Sequence, residues 1–193
     1  MTGAAVFERL EQVIATRADA AAPLTDVRAA LAGVRDVRSF LASVEADLTR
    51  RVAAAASFPE ADVAESSKGS LHDATATLDR AATLESVPGL AGALEDATVT
   101  AGHVDAVTKA AKRLDDDRQR SELFDRVDAL VDVAEVASVA EFGRRVRDEA
   151  SRILAAAGVD RLARQMRDAS LSSWVGNDGM WNLRGRFDPV TGM

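Results

Sequence analysis

Apolar residues recur at steps of three and four over most of the chain, which predicts a series of amphipathic helices. Residues 5–20 form the first, and Pro23 interrupts the pattern. Thr25 can then cap a second helix that runs to about Ala56. The apolar positions of this second helix are Val27, Leu31, Val34, Leu41, Val44, Leu48 and Val52.

The second predicted helix would be about 45 Å long, since an α-helix rises 1.5 Å per residue. A compact globule cannot bury a helix of that length on all sides, so it should be the spine of a bundle or half of a helical hairpin. Its apolar stripe has two interpretations. It is a plain core stripe, or it is a surface through which two copies associate.

Shorter helices are predicted after the break at Pro59 and the polar turn that follows it. Ser70 can cap a helix to about Leu84, and a short helix covers residues 89–95. Thr100 can cap the next one. The helix after the acidic run at 115–117 carries its apolar residues at Leu123, Phe124, Val127, Leu130, Val131 and Val133.

A capping box of Ser138 and Glu141 predicts the start of another helix. Gly158 is a natural residue to end it, and a last short helix would follow to about residue 169.

The pattern changes near the C-terminus, where "LSSWVGNDGMWNLRGRF" contains two short β-prone segments. Asp178-Gly179 between such segments is a hairpin signal. Trp174, Trp181 and Leu183 would supply the apolar contacts of this hairpin. We therefore predict an all-α fold: an elongated helical bundle with a long N-terminal helical hairpin and a small C-terminal β-hairpin. The predicted division is a helical domain at 1–169 and the hairpin at 170–193.

Composition narrows the classes of function. The chain has 193 residues, 47% of them hydrophobic, and a net charge of −7. An acidic chain is unsuited to coat nucleic acid, although a local basic patch remains compatible with it. The absence of cysteine excludes disulfides, zinc–thiolate sites and cysteine nucleophiles. No secretory signal and no apolar run near 20 residues is present, so we expect a cytoplasmic protein without a membrane partner.

Residues with catalytic chemistry are sparse. His72 and His103 lack a suitably spaced third ligand, so structural or surface roles are expected for both. The acidic run at 115–117 is interpreted as helix capping, because consecutive helical residues do not converge on one ion. The sequence contains no phosphate-binding glycine motif and no Ser-His-Asp order. We predict no catalytic residue, no metal site and no cofactor.

An arginine cluster at residues 144–167 is the best candidate for nucleic-acid contact, together with two arginines on the hairpin. Arginine can reach phosphates, and a tryptophan can stack on a base. Interleaved acids also fit a solvated, salt-bridged face. The candidate nucleic-acid-binding residues are Arg144, Arg145, Arg147, Arg152, Arg161, Arg164, Arg184, Arg186 and Trp181.

Two stretches together resemble a known family. They are "SLHDATATLDRAATLESVPGLAGALEDATVTAGHVDAVTKAAKRL" and the ending "DGMWNLRGRFDPVTG". The chain, from about residue 25 onward, resembles the actinobacterial domain of unknown function 222, the N-terminal part of many HNH endonuclease-like proteins. The family usually has a glycine in the turn before the "HVD" helix, where this chain has Ala97. The segment before its hairpin is also less rich in arginine.

The resemblance implies a continuation of the polypeptide. In relatives the "DP..G" turn is followed by more helix and a His-Asn-His nuclease motif, in which a histidine activates water and other residues hold a divalent metal. No position of this sequence matches that motif, so no catalytic residue is carried over. The hairpin is expected to join a nuclease-like region that this sequence does not contain.

Two functions follow as expectations. The first is a non-catalytic helical module of an HNH endonuclease-like protein that positions nucleic acid or a partner for a nuclease domain. DNA would be its expected partner. The second is a stand-alone helical module that assembles with copies of itself.

Overall fold

The computed structural model describes residues 1–167, 170–175, 177 and 179–186, with the side chains of 159–167 excepted. This part of the chain contains nine α-helices and one antiparallel pair of strands. The predicted all-α fold with a β-hairpin is confirmed. The helices are α1 Gly3–Ala18, α2 Leu24–Ala55, α3 Pro59–Ser67, α4 Leu71–Ser86, α5 Pro88–Glu95, α6 Ala101–Ala111, α7 Asp117–Asp128, α8 Val131–Val136 and α9 Val139–Arg167, and the strands are β1 Ser170–Val175 and β2 Trp181–Arg186.

Two helix starts differ from the predictions. The N-cap of α2 is Pro23 rather than Thr25, so the helix begins directly after the proline. The segment predicted as a break and turn contains α3, because Pro59 occupies the first helical position, where its missing N–H costs nothing. Acidic residues in the first turn of α3 favour this start further.

The ends of two helices also differ from the predictions. The helix predicted through residue 133 is divided, since α7 ends at Asp128 and α8 starts at Val131. The Asp128 carboxylate accepts a hydrogen bond from the backbone N–H of Gly89 at 2.8 Å, and so holds the end of α7 against the start of α5. Helix α9 continues through Gly158, because a single glycine costs a helix only about 1 kcal/mol.

The chain forms two compact units, residues 1–150 and 151–193. The division falls within α9, between Ala150 and Ser151. The first unit holds α1 to α8 with the start of α9, and the second holds the rest of α9 and the hairpin. The boundary at residue 169 stays a prediction. None of the described helices is long and apolar enough to cross a membrane.

The core of the first unit lies among α4 to α9. Its largest fully buried side chains come from α5, α6, α7, α9 and the turns beside α5. They are Phe142, Leu90, Leu94, Leu123, Val87, Val99, Val104, Val107, Val127 and Val146. The buried residues of α6 form one broad face of the helix, and they are His103, Val104, Val107, Ala110 and Ala111.

Helix α2 buries the face opposite to the one that its sequence predicts. Its buried residues are all small or polar: Gly33, Asp36, Ser39, Ala46 and Thr49. The three leucines of its apolar stripe are exposed, with Leu31 at 65%, Leu41 at 54% and Leu48 at 54% of their full accessible surface, whereas Phe40 is half-buried. The interpretation of this stripe as part of the core is therefore wrong, and the stripe lies at the protein surface.

Helices α1 and α2 pack closely through Gly33 of α2. A Cβ atom at that position would lie 3.0 Å from a methyl carbon of Val13, so the contact leaves no room for a side chain. The nearby Asp36 carboxylate is paired with Arg35 at 2.7 Å on α2 and with Arg9 at 3.3 Å on α1. At this contact the two helices are held by close packing at Gly33 and by the ion pairs of Asp36, rather than by the burial of large apolar side chains.

A polar seam joins α4 and α6. The guanidinium of Arg80 donates two hydrogen bonds to the Asp105 carboxylate, from Nε at 2.8 Å and from Nη2 at 3.1 Å. The hydroxyls of Thr83 and Thr108 lie 2.7 Å apart in the same seam. The hydrogen bond to Asp105 raises the pKa of Arg80 above its ordinary value. Arg80 is therefore a permanent cation that fixes α6 against α4.

Replacing Arg80 with methionine should lower the free energy of unfolding by about 1–2 kcal/mol, because a two-bond contact to a carboxylate is lost while the aliphatic stem is kept. Urea denaturation followed by circular dichroism measures the change. Arg50→Met is the control. Among the described residues Arg50 pairs with the exposed Asp47 of its own helix, so this variant should change stability by less than about 0.5 kcal/mol. Equal losses in the two variants would contradict the proposed importance of the seam.

Candidate nucleic-acid interface

A groove of about 500 Å³ lies between α6 and the first turns of α9. Its rim is basic, with Lys109 and Arg113 on α6 and Arg147 on α9. The remaining lining residues are mainly small: Gly102, Asp105, Ala106, Ala110, Val139, Ala140 and Gly143. Cations around a floor of small residues allow a phosphate group to approach closely.

One acid, Asp105, also lines this groove. Both of its carboxylate oxygens accept hydrogen bonds from Arg80, so its charge is balanced from the α4 side. Across the groove, a guanidinium nitrogen of Arg147 lies 3.5 Å from the position that a Cβ at Gly143 would take. Three of the residues that line the groove are therefore cations, and the acid among them is paired with Arg80.

The predicted arginines of α9 divide between two sides of the helix. Arg144 and Arg145 are both exposed. Helical residues four apart are neighbours, so Arg144 lies beside Ala140 on the groove side. Arg145 lies about 100° further around the helix and shares its side with Glu141, an arrangement that matches the alternative interpretation of a charge-balanced surface.

The second unit contains the other predicted residues. Arg152 is exposed on α9, and Arg184 and Arg186 are exposed on β2. Arg161 and Arg164 belong to α9, but their side chains lie outside the described part of the chain. The first unit thus carries three of the predicted arginines, and only Arg147 among these lines the groove.

The hairpin is paired in the register Ser172–Arg184 and Trp174–Asn182. Gly179, in the connection between the strands, has a φ of 77°, a left-handed conformation that glycine adopts without strain. The hairpin prediction is therefore confirmed for the described residues, which do not include Asp178.

The two faces of the hairpin differ in chemistry, since side chains alternate along a strand. One face carries Ser170, Ser172, Trp174, Asn182, Arg184 and Arg186. The other carries Leu171, Val175, Trp181 and Leu183. Trp174 therefore shares a face with the two arginines, whereas the predicted Trp181 lies on the apolar face.

Lys109 and Arg113 were not among the residues predicted from the sequence. Trp181, rather than Trp174, was predicted to stack on a base. Lys109 and Arg113 are four residues apart, which places them on one side of α6 and is visible in the sequence. Their proximity to Arg147 depends on how α6 packs on α9. The choice between Trp174 and Trp181 depends on the exact strand register, which fixes the face of every side chain.

The remaining candidates have structural roles. His103 is 5% exposed, its Nδ1 accepts from the backbone N–H of Thr100 at 3.1 Å, and its Nε2 lies 3.2 Å from the carbonyl oxygen of Ala137. Asp116 caps α7 by accepting from the N–H of Gln119 at 2.8 Å, as predicted for the acidic run. Within the described residues, no group of three or more possible metal ligands converges.

Comparisons with models of protein families, with curated proteins and with solved structures found no match for the chain.

Proposed function

We propose that this chain is a non-catalytic helical module of an HNH endonuclease-like protein, and that it positions nucleic acid or a partner for a nuclease domain. The observation that carries the nucleic-acid part is the groove between α6 and α9 with Lys109, Arg113 and Arg147 on its rim. Phosphate contacts from such cations hold a nucleic acid in place without reading its sequence.

The resemblance to the family supports the nuclease context, and one backbone angle agrees with it. Ala97 stands where the family usually has glycine, and its φ is 61°. This left-handed conformation costs a residue with a Cβ about 1–2 kcal/mol and favours glycine. The turn before α6 thus has a geometry that favours glycine at position 97, and this supports the resemblance.

Gel-shift titration tests whether the groove binds nucleic acid. Purified protein should shift single- or double-stranded DNA in a gel at low salt and less at moderate salt, because binding releases counterions. Lys109→Ala with Arg113→Ala should weaken binding and lower the slope of log K against log salt by about 1.5. Arg144→Ala should weaken binding more than Arg145→Ala.

The matched control is Arg17→Ala with Arg118→Ala, which removes the same charge from exposed positions on α1 and α7. This double variant should bind DNA like the wild type. If the control and the groove variant lose affinity equally, net charge rather than the groove determines binding. If the wild type gives no shift at micromolar concentration, the nucleic-acid role is wrong.

A second prediction separates the two faces of the hairpin. The chain has two tryptophans, so Trp181→Phe leaves Trp174 as the only one, and the reverse variant leaves Trp181. Single-stranded DNA should quench the fluorescence of Trp174, because a base can stack on it beside Arg184 and Arg186. The fluorescence of Trp181 should change little when single-stranded DNA is added. Equal quenching of both, or quenching of Trp181 alone, would contradict binding on the arginine face.

A second function is favoured by a different observation, the exposed leucines of α2. Leu31, Leu41 and Leu48 leave more than half of their surfaces in water. Contiguous apolar surface of this kind is typical of a protein–protein contact. We propose, as the alternative function, a helical module that self-associates through α2.

Light scattering tests this alternative. The wild type should have twice the mass of one chain, and Leu41→Glu should shift the protein towards the monomer without lowering its helical content, because Leu41 is not part of the core. Leu71→Glu is the matched control, since Leu71 is exposed on α4 outside the α2 stripe. A wild type that stays monomeric at high concentration would contradict self-association.

A further inference from the structure

Six of the seven apolar residues of the α2 stripe, all except Val44, fall on a heptad pattern. Residues 27, 31, 34, 38, 41, 45, 48 and 52 are separated by steps that alternate between four and three. Such alternation keeps one seam facing a partner helix over the whole stripe, as in a coiled coil. The stripe extends over about 38 Å of the helix, since 25 residue steps rise 1.5 Å each.

Six of these eight positions are apolar, and the other two are Arg38 and Glu45. Both charged residues are exposed, and they lie on either side of Leu41. The Glu45 carboxylate lies 3.8 Å from Arg80 of its own chain and keeps about half of its surface, 52%, open to a partner. In a parallel pair of α2 helices, each of these charges would face its own copy, and like charges would repel. In an antiparallel pair with its two-fold axis near Leu41, Arg38 of each copy would lie beside Glu45 of the other.

The surroundings of the stripe favour the same arrangement. Its C-terminal half forms one wall of a groove of about 460 Å³. The lining residues from α2 are Leu41, Val44, Glu45, Leu48, Thr49 and Val52, and those from α3 are Val63, Ser66 and Ser67. The N-terminal half of the stripe carries the exposed Leu31 and the half-buried Val34. An antiparallel copy would place its Leu31 and Val34 at this groove, where apolar surface would be buried on both partners.

From these observations we propose that two copies of this chain associate through α2 as an antiparallel, two-fold symmetric pair, with Arg38 of each copy beside Glu45 of the other. This proposal rests on the self-association function stated above and specifies its partner and its register. A single pair of polar residues in an apolar seam is a known means of fixing orientation. The occupant of the stripe is thus a second copy of the same chain.

Charge exchange tests the orientation in the full 193-residue protein. Arg38→Glu places two acids together at both symmetric contacts, and Glu45→Arg places two bases together. Each single variant should raise the dimer dissociation constant at least about tenfold by sedimentation equilibrium, which corresponds to about 1.4 kcal/mol. The double variant R38E/E45R should restore the wild-type value. An equimolar mixture of the two single variants should form the heterodimer.

Arg28→Glu is the control, because Arg28 is exposed on the same helix but lies outside the heptad positions. It should dimerise like the wild type. Circular dichroism checks that every variant folds, which matters for Glu45 since its carboxylate lies 3.8 Å from the guanidinium of Arg80. The double variant R38E/E45R also lacks Glu45. If it regains the wild-type dissociation constant, the weaker dimer of the single variants reflects the register of the pair and not damage to the fold.

Chemical cross-linking provides a second readout, because the natural chain has no cysteine. A short bis-maleimide should link a mixture of the Leu31→Cys and Val52→Cys variants but neither variant alone. In the antiparallel pair, the two copies of residue 31 lie about 30 Å apart.

The outcomes separate the two proposals. Rapid cross-linking of Leu31→Cys with itself would show a parallel pair and overturn the inference. A dimer that is insensitive to both single charge exchanges would overturn the register while leaving self-association in place. A strictly monomeric wild type would overturn both.

Discussion

The packing of this protein depends on the small and paired side chains that α2 buries. Gly33 lets α1 approach to van der Waals contact, and Asp36 enters the interface only because Arg9 and Arg35 neutralise it. A larger residue on this face would force the neighbouring helices apart. Helix α2 also contacts α4 and α5, yet Leu31, Leu41 and Leu48 of α2 remain exposed. The apolar core is therefore built from α4 to α9, and the leucines of α2 are left at the surface.

Polar contacts, in turn, fix α6 within that core. Arg80 and Asp105 join α6 to α4, and His103 connects the start of α6 to the carbonyl of Ala137 before α9. Packing accounts for the positions of Arg80, Asp105 and His103, so no catalytic role is needed to explain them. A binding function of the first unit has to use the surfaces that this framework holds in place, which are the rim of the α6–α9 groove and the stripe on α2.

The sequence predicted the helices whose caps and apolar spacing agree, such as α4 after Ser70 and α6 after Thr100, because both signals are local. It did not predict α3, since a proline can either end a helix or start one. It also did not show which face of α2 is buried: the spacing of apolar residues identifies a stripe, but the stripe can face the chain's own core or a second molecule. The groove cations Lys109 and Arg147 are brought together by the packing of α6 on α9, which the sequence pattern does not encode locally.

The net negative charge of the chain does not prevent its basic groove from attracting phosphate groups at physiological salt. Charges more than about 8 Å away through solvent are largely screened, so most of the acids contribute little to the potential at Lys109 and Arg113. The nearest acid, Asp105, is held by Arg80. A groove with three cations still offers few phosphate contacts, and one copy would therefore bind weakly. Two copies joined through α2 would carry two such grooves, and the second contact would form at a high effective concentration on the same nucleic acid. Assembly through α2 and phosphate contact at the groove are therefore complementary: self-association would supply the affinity that a single groove of this charge lacks.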